Sequence, residues 1–370
     1  MSFLIFLTVI SILIVVHEWG HFITAKKLGV RVEQFALGFG PKLFSWIHDG
    51  TEFCLCAIPL GGYVKMTGDE RSSCKGESHE FFSKSPGHRA LIVLMGPVVN
   101  YLLAYICFIF VFMLGFVDMD LSAKQVESKI GQVLEGSPAQ KAGLQPQDRV
   151  VQIDEKKIND WGELQEYIST SKTPPLEFVI VRGQQQLIKT ITPREHKQKD
   201  IFGREHKARQ VGIGPVQINS ADDIVIKRYG FFGSLKKAAE ELVSITTKTY
   251  VALYEMLTGI RSAKEAMGIV GMFYVIKFAA SVGFSFLLHI VGVISASLAI
   301  FNLLPLIPLD GGHLFLLGIE KIRGRVLSVK IEQLISKVGF SLIITLAVFV
   351  FYADFERVGW IDKIMSLWPR

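Results

Sequence analysis

The stretch His17-Glu18-Trp19-Gly20-His21 closes a long apolar run, residues 3–16, which reads FLIFLTVISILIVV. Two residues four positions apart on a helix lie about 40° apart around the axis and about 6 Å apart along it. Both imidazoles can therefore reach one metal ion from the same face. Glu18, one step around the helix, can address a water molecule on that ion without being a ligand itself. The alternative is a helix end that carries two solvated histidines.

The apolar run that precedes the motif favours the metal site. Extended to Ala25, the run is long enough to cross about 30 Å of hydrocarbon, and Lys26 and Lys27 follow it directly. Ionisable residues within a membrane cost a few kcal/mol or more each, so three of them on adjacent faces need a purpose such as a metal. A cleavable signal peptide does not fit, because the run is too long and no small-x-small cleavage site follows it.

Composition supports a membrane protein with several spans. Half of the 370 residues are hydrophobic, and the mean hydropathy is +0.37, too apolar for an ordinary soluble chain. The net charge of +6 does not indicate nucleic acid, because the basic residues cluster beside apolar runs, where anionic lipid explains them. The chain has four cysteines, and their spacing predicts free thiols without a disulfide framework.

Four transmembrane helices are predicted, at about 3–25, 89–117, 282–304 and 338–352. Asn100 in the second span is either an interhelical hydrogen-bonding residue or a group that points toward the metal site. His289 in the third span is interpreted as hydrogen-bonded packing. Basic residues flank the motif end of each span, so we expect the amino and carboxyl termini outside and the active site toward the cytoplasmic side. Asp118 and Asp120, after the second span, agree with that orientation.

Residues 30–84 form a mixed region between the first two spans. The segment 51–60 (TEFCLCAIPL) has strand propensity, and Gly61-Gly62 follows it. We expect a short strand or hairpin here, either associated with the membrane or part of a small cytoplasmic sheet. Gly38-Phe39-Gly40-Pro41 is a turn and lacks the third glycine of a dinucleotide fingerprint.

Residues 120–195 have the composition of an inserted α+β domain outside the membrane. Gly136-Ser137-Pro138-Ala139, followed by Ala142-Gly143-Leu144 and Gln147-Asp148, resembles the PDZ family, although that family usually has glycine in place of Gln147. Such domains dock an extended peptide or chain end by adding a strand; the alternative is an inert spacer. Residues 196–260 are predicted to hold a polar linker and then an amphipathic helix, 233–257, on the membrane surface.

The end of the third span supplies a candidate third ligand. Asn302 begins a stretch with two prolines that ends in Asp310-Gly311-Gly312-His313. By itself an aspartate at such a helix break is a cap or turn former. Because Asp310 is predicted to lie at the same membrane depth as the two histidines, it becomes the natural third metal ligand, which leaves one coordination position open for water. His313 is a possible fourth ligand, but a closed site would be structural.

These features resemble the site-2 protease family of intramembrane zinc metalloproteases, and within it the bacterial RseP-type regulatory proteases. The likeness rests on the motif at 17–21, the stretch 302–312 and the PDZ-like insertion, and residues 61–66 and 95–100 match further family signatures. Well-known RseP-type members carry two tandem PDZ domains, whereas this chain has room for one.

The resemblance implies that His17, His21 and Asp310 bind Zn²⁺, that Glu18 is the general base, and that Asn302 helps to hold substrate. The expected location is the bacterial inner membrane, and the expected partners are single-span membrane proteins, lipid and peptide tails at the PDZ-like domain, with no nucleic acid. An unwound substrate is expected to pair with the strand at 51–60. The rival classes are a membrane scaffold with a structural metal and a metal transporter. The predicted domains are a first membrane half (1–117), the PDZ-like domain (120–195), the linker with its helix (196–260) and a second membrane half (261–370).

Overall fold

The computed structural model describes residues 1–71, 74–117, 127–171, 174–199, 205–215, 226–325 and 328–358. By the packing of its Cα atoms the chain forms two units, one of Met1–Leu114 with Tyr229–Arg370 and one of Gly115–Arg228. Asp118 and Asp120, which support the predicted orientation, lie outside the described residues, and so does the carboxyl-terminal segment 359–370.

The helices carry most of the first unit. Numbered along the chain, they are α1 (Ser2–Lys27), α2 (Pro86–Leu114), α3 (Pro138–Lys141), α4 (Trp161–Thr170), α5 (Phe231–Leu257), α6 (Ile269–Val282), α7 (Phe284–Asn302), α8 (Asp310–Arg323) and α9 (Val329–Val358). Two of these, α3 and α4, belong to the second unit.

Four helices of the described chain are long and apolar enough to cross a membrane: α1, α2, α7 and α9. This confirms the prediction of four such helices. The last helix begins at Val329, earlier than predicted, because the basic segment before the apolar run continues the helix. The sequence-based expectation missed α6, an apolar helix of 14 residues, which is too short to span a membrane alone.

The helices α1, α2, α6 and α7 form a common apolar core. Phe6, Val9 and Leu13 of α1 pack with Ile276 of α6, and all four side chains are buried. Phe108 of α2 is fully buried, and its ring lies against the surface of α7 at Gly292. The core therefore fixes the helices that carry the candidate site.

An antiparallel sheet connects α1 to α2. It consists of two long strands, β1 (Val32–His48) and β2 (Thr51–Met66), so the hairpin is much longer than predicted. Each strand bends, and residues 52–55 pair on one side with 44–47 and on the other with 34–37. Residues 62–65 pair only with 34–37, which leaves their other side as a free edge among the described residues.

The second unit is a small α+β fold. Its remaining strands are β3 (Phe116–Val117), β4 (Ile130–Val133), β5 (Arg149–Ile153), β6 (Lys156–Lys157), β7 (Leu176–Arg182), β8 (Gln185–Ile191), β9 (Arg194–Lys199), β10 (Glu205–Gln210), β11 (Ile213–Pro215) and β12 (Ile226–Lys227). A four-stranded sheet has the order β6-β5-β7-β8. Its buried face packs against α3 and α4 through Ala139, Leu164 and Ile168, as expected for an amphipathic helix on a sheet.

Two further expectations for the polar middle of the chain have different outcomes. The linker prediction is wrong for part of its length, because β9 and β10 pair as antiparallel strands. The two copies of an Arg-Glu-His-Lys repeat begin at Arg194 and Arg204, and Arg204 lies outside the described residues. The amphipathic helix is confirmed as α5, which α2 holds through the Tyr105 hydroxyl, a donor to the Leu235 carbonyl at 3.1 Å.

Candidate metal centre

Three side chains from the two ends of the first unit converge on one point. His17 and His21 lie on one face of α1, with their Nε2 atoms 3.2 Å apart. Asp310, the first residue of α8, places Oδ2 3.2 Å from His17 Nε2 and Oδ1 3.6 Å from His21 Nε2. The three donor atoms lie within 4.8 Å of one another. The structure thus brings together all three residues expected to be ligands.

The orientation of His21 is fixed from α2. Its Nδ1 lies 2.9 Å from the carbonyl oxygen of Ile92, to which a protonated Nδ1 donates. In a neutral imidazole that proton leaves the lone pair on Nε2, which faces Asp310 and His17. Backbone carbonyls commonly orient metal-binding histidines in this way. The Ile92 contact has no signal in the sequence, because any residue type supplies a carbonyl.

Two glycines let α1 and α2 approach at the level of the histidines. A Cβ atom at Gly20 would lie 2.2 Å from the Met95 carbonyl oxygen, and one at Gly96 would lie 2.3 Å from His21 Nε2. Real Cβ atoms do not come so close to other atoms. Glycine at both positions is therefore a condition for packing the two imidazoles against α2.

The donor set fits a zinc ion. Oδ2 of Asp310 is buried and has no hydrogen-bond partner among the described residues, although it faces the imidazole of His17. An orphaned carboxylate oxygen beside two imidazole nitrogens is costly without a cation. Two imidazoles and one carboxylate are also the protein ligands of many zinc hydrolases, which keep the fourth position open.

The site opens into a cavity of about 1120 Å³. Glu18 and Asn302 line this cavity together with the three candidate ligands. The amide Nδ2 of Asn302, the last residue of α7, lies 3.4 Å from His17 Nε2. The bent half of β2 also contributes to the wall, through Gly61, Gly62, Tyr63, Val64 and Met66.

The two other histidines of interest have separate environments. His313 lines the cavity but is not part of the three-residue group that could hold a metal. His289 lies 3.3 Å from the Glu241 carboxylate of α5 and packs beside the ring of Phe108. The interpretation of His289 as a hydrogen-bonded packing residue is therefore confirmed.

A buried ion network, which the sequence-based reasoning missed, holds α8 at its other end. Glu320 of α8 accepts from Arg89 at 2.5 Å and from Arg71 at 3.2 Å, and the Arg89 side chain is 4% exposed. Arg71 also pairs with Glu332 of α9 at 3.0 Å. Since 231 residues separate Arg89 from Glu320, no local pattern could have indicated the pair.

The comparisons with known proteins agree with this site. The sequence profile of Peptidase family M50 matches residues 5–346, nearly the whole chain. The chain belongs to peptidase family M50. This confirms the resemblance to site-2 proteases that the motifs suggest.

Individual relatives of this M50 chain match over more than nine-tenths of its length. A protein of Mesorhizobium japonicum is 31% identical, with 94% of this chain and 97% of the relative covered. One from Clostridium perfringens is 34% identical (93% and 95% covered), and one from Campylobacter jejuni is 32% identical (96% and 94% covered). All three are named as candidate zinc metalloproteases. With its four apolar helices, the chain is a multi-pass membrane zinc metalloprotease.

Proposed function

We propose that this metalloprotease cleaves peptide bonds within the transmembrane segments of single-span membrane proteins of the bacterial inner membrane. The observation that carries the proposal is the position of the candidate ligands. His17 and His21 lie on α1, a helix of 26 residues that is apolar enough to cross a membrane. Asp310 follows directly after the apolar α7 and the loop 303–309. A peptide bond cut here would lie at membrane depth.

The residues divide the chemistry among them. His17, His21 and Asp310 would hold Zn²⁺, which when bound acts as a Lewis acid and lowers the pKa of water to about 7. Glu18, in the same cavity, is proposed to take a proton from the attacking water and to return it to the leaving amine. Asn302 would donate its amide to the substrate backbone, since its Nδ2 lies beside the ligand cluster.

A transmembrane helix must unwind before it can be cut, because its own hydrogen bonds shield every peptide group. Strand addition would satisfy the freed groups. Residues 52–55, within the predicted docking segment 51–60, have strand partners on both sides and so have no free edge for a substrate. Gly61, Gly62, Tyr63, Val64 and Met66 line the cavity, and residues 62–65 have the free edge. We therefore assign the docking strand to this half of β2.

Charge supports the proposed orientation. Lys26 and Lys27 end α1, and basic residues flank α8 and the start of α9. Basic residues favour the cytoplasmic face. The active site would then lie toward the cytoplasm, with the termini and the second unit outside.

The second unit is proposed to act as a PDZ-like gate. Its sequence likeness to PDZ domains and its small α+β fold support this role. It would admit substrates whose outer tails have already been shortened, either by docking the new chain end or by excluding bulk. An anti-sigma factor after a first cleavage, or the remnant of a signal peptide, has the required form.

Cleavage of a single-span substrate with a trimmed outer tail tests the proposal. Detergent-purified wild-type chain and Glu18→Gln are compared, and zinc content is determined on both. We expect cutting by the wild type alone, with zinc retained in both, because Gln cannot accept the proton. Equal cutting by both would remove Glu18 from the chemistry. Zinc without cutting by either would favour the membrane scaffold, the remaining alternative.

Proline substitutions test the docking strand. Successive backbone N–H groups of a strand point to opposite sides, so only one of Tyr63 and Val64 has its N–H at the free edge. Proline at that residue removes a hydrogen-bond donor from the free edge. We expect one of these variants to lose more than about tenfold in turnover with zinc retained. Phe44→Pro is the matched control, since residue 44 lies in the opposite edge segment of the same sheet and does not line the cavity. Equal turnover in all three variants would refute the assignment.

A further inference from the structure

Asn100 of α2 is a buried polar side chain beside the metal centre, and the mechanism leaves it without a role. It is 1% exposed, and its amide Nδ2 lies 3.4 Å from Nδ1 of His17. Its backbone carbonyl accepts from the Ser295 hydroxyl of α7 at 2.8 Å, which fixes this turn of α2 against α7. The amide therefore has a defined position next to one ring nitrogen of one candidate ligand.

The two ring nitrogens of His17 face different surroundings. Nε2 faces His21, Asp310 and Asn302, and Nδ1 faces Asn100. A neutral imidazole that binds a metal through Nε2 carries its proton on Nδ1, and that proton needs an acceptor. Asn100 is the only side chain of the described residues that the structure places within hydrogen-bond distance of Nδ1.

An acceptor at this position has to be the amide oxygen. Nδ2 faces the ring, and Oδ1 is buried without a hydrogen-bond partner among the described residues. Both Nδ2 and a protonated Nδ1 are donors, so they cannot bond to each other. A half-turn of the amide exchanges two groups of nearly equal size and presents Oδ1 to Nδ1.

We propose that Asn100 is a positioning residue whose side-chain oxygen accepts from Nδ1–H of His17 and so holds Nε2 in the metal-binding tautomer. The arrangement matches that of His21, whose Nδ1 lies 2.9 Å from the Ile92 carbonyl. One helix, α2, then orients both histidines, through a backbone carbonyl for one and a side-chain amide for the other. This inference rests on the proposed roles of His17, His21 and Asp310 as ligands.

Zinc affinity measures this role independently of activity. The full-length chain in detergent is stripped of metal and titrated with Zn²⁺ against a chromophoric chelator. Asn100→Leu removes the acceptor at similar volume, and we expect it to weaken affinity about 10–100-fold, the usual effect of losing such a partner. Asn100→Asp retains an oxygen acceptor, and we expect its affinity to stay within about threefold of the wild type.

Asn302→Leu is the matched control, because Asn302 lies at the same 3.4 Å distance from His17 but beside Nε2. It should lose turnover and keep zinc affinity. Absorption of the Co²⁺-loaded protein adds a second readout, and Asn100→Leu should change the visible bands while Asn100→Asp restores them. If Asn100→Leu does not fold, Asn100→Ala replaces it.

The possible outcomes separate this inference from the proposed ligand set. His17→Ala must lose zinc binding. If this variant binds zinc as tightly as the wild type does, the ligand proposal fails, and the proposed role of Asn100 fails with it. If His17→Ala loses zinc but Asn100→Leu and Asn100→Ala keep full affinity, only the role of Asn100 is refuted. If Asn100→Asp loses as much zinc affinity as Asn100→Leu does, the site does not require a hydrogen-bond acceptor at this position.

Discussion

Gly96→Ala should disrupt the metal centre without any change to a ligand. The added Cβ would lie 2.3 Å from Nε2 and 2.4 Å from Cε1 of His21, and 2.9 Å from Cε1 of His17. Ordinary contacts begin at 3.4 Å, so the ring of His21 must move by about 1 Å. The helices cannot separate freely to make room, because Gly20 packs against the Met95 carbonyl one residue away.

A displacement of that size exceeds what a metal centre tolerates. Zinc–nitrogen distances vary by only about 0.2 Å around 2.0–2.1 Å, and a misplacement of 1 Å in an active site costs about 100-fold in rate. We expect Gly96→Ala to lose at least about 100-fold in turnover and a similar factor in zinc affinity.

The assay combines the chelator titration with cleavage of the single-span substrate. Gly87→Ala is the control on the same helix, because a Cβ at Gly87 would meet no atom within 4 Å. It should behave as the wild type does. Wild-type zinc affinity in Gly96→Ala would refute the close approach of α2 to the histidines.

Three further predictions concern stability. Arg89→Met should lower the free energy of unfolding of the first unit by about 3 kcal/mol in denaturant titration, because the buried carboxylate of Glu320 loses its closest cationic partner. Adding Glu320→Met to this variant should restore most of the lost stability. The Glu80 carboxylate accepts hydrogen bonds from several backbone N–H groups, first that of Lys75, and these bonds lower its pKa from 4.5 to about 2. Hydrogen-exchange protection of those amides should therefore be complete above about pH 4.5 and be lost as the pH falls toward 2. Glu80→Gln should remove this pH dependence. Gln147 has a φ of 77°, a backbone conformation that costs a non-glycine residue about 1 kcal/mol. Gln147→Gly should therefore slow hydrogen exchange of the β5 amides about fivefold. Unchanged or faster exchange would contradict this.

The sequence was sufficient for features whose information is local. The spacing of His17 and His21 implies a shared helix face, and uncharged apolar runs imply spans, because each depends on one continuous segment. The same holds for Asp310, since the proline break places it at the end of an apolar run. Four apolar helices, the three converging donors and the M50 family agree with these expectations.

Tertiary structure alone decided which segments meet. Residues 62–65 have a free edge and residues 52–55 do not, because strand order in a bent sheet depends on pairing across the whole segment and not on strand propensity. The Ile92 carbonyl orients His21, and Arg89 holds Glu320, through contacts between residues 71 and 231 positions apart in the chain. Backbone groups carry no residue signature, and ion partners at such separation leave no periodic pattern, so only the packed helices reveal them.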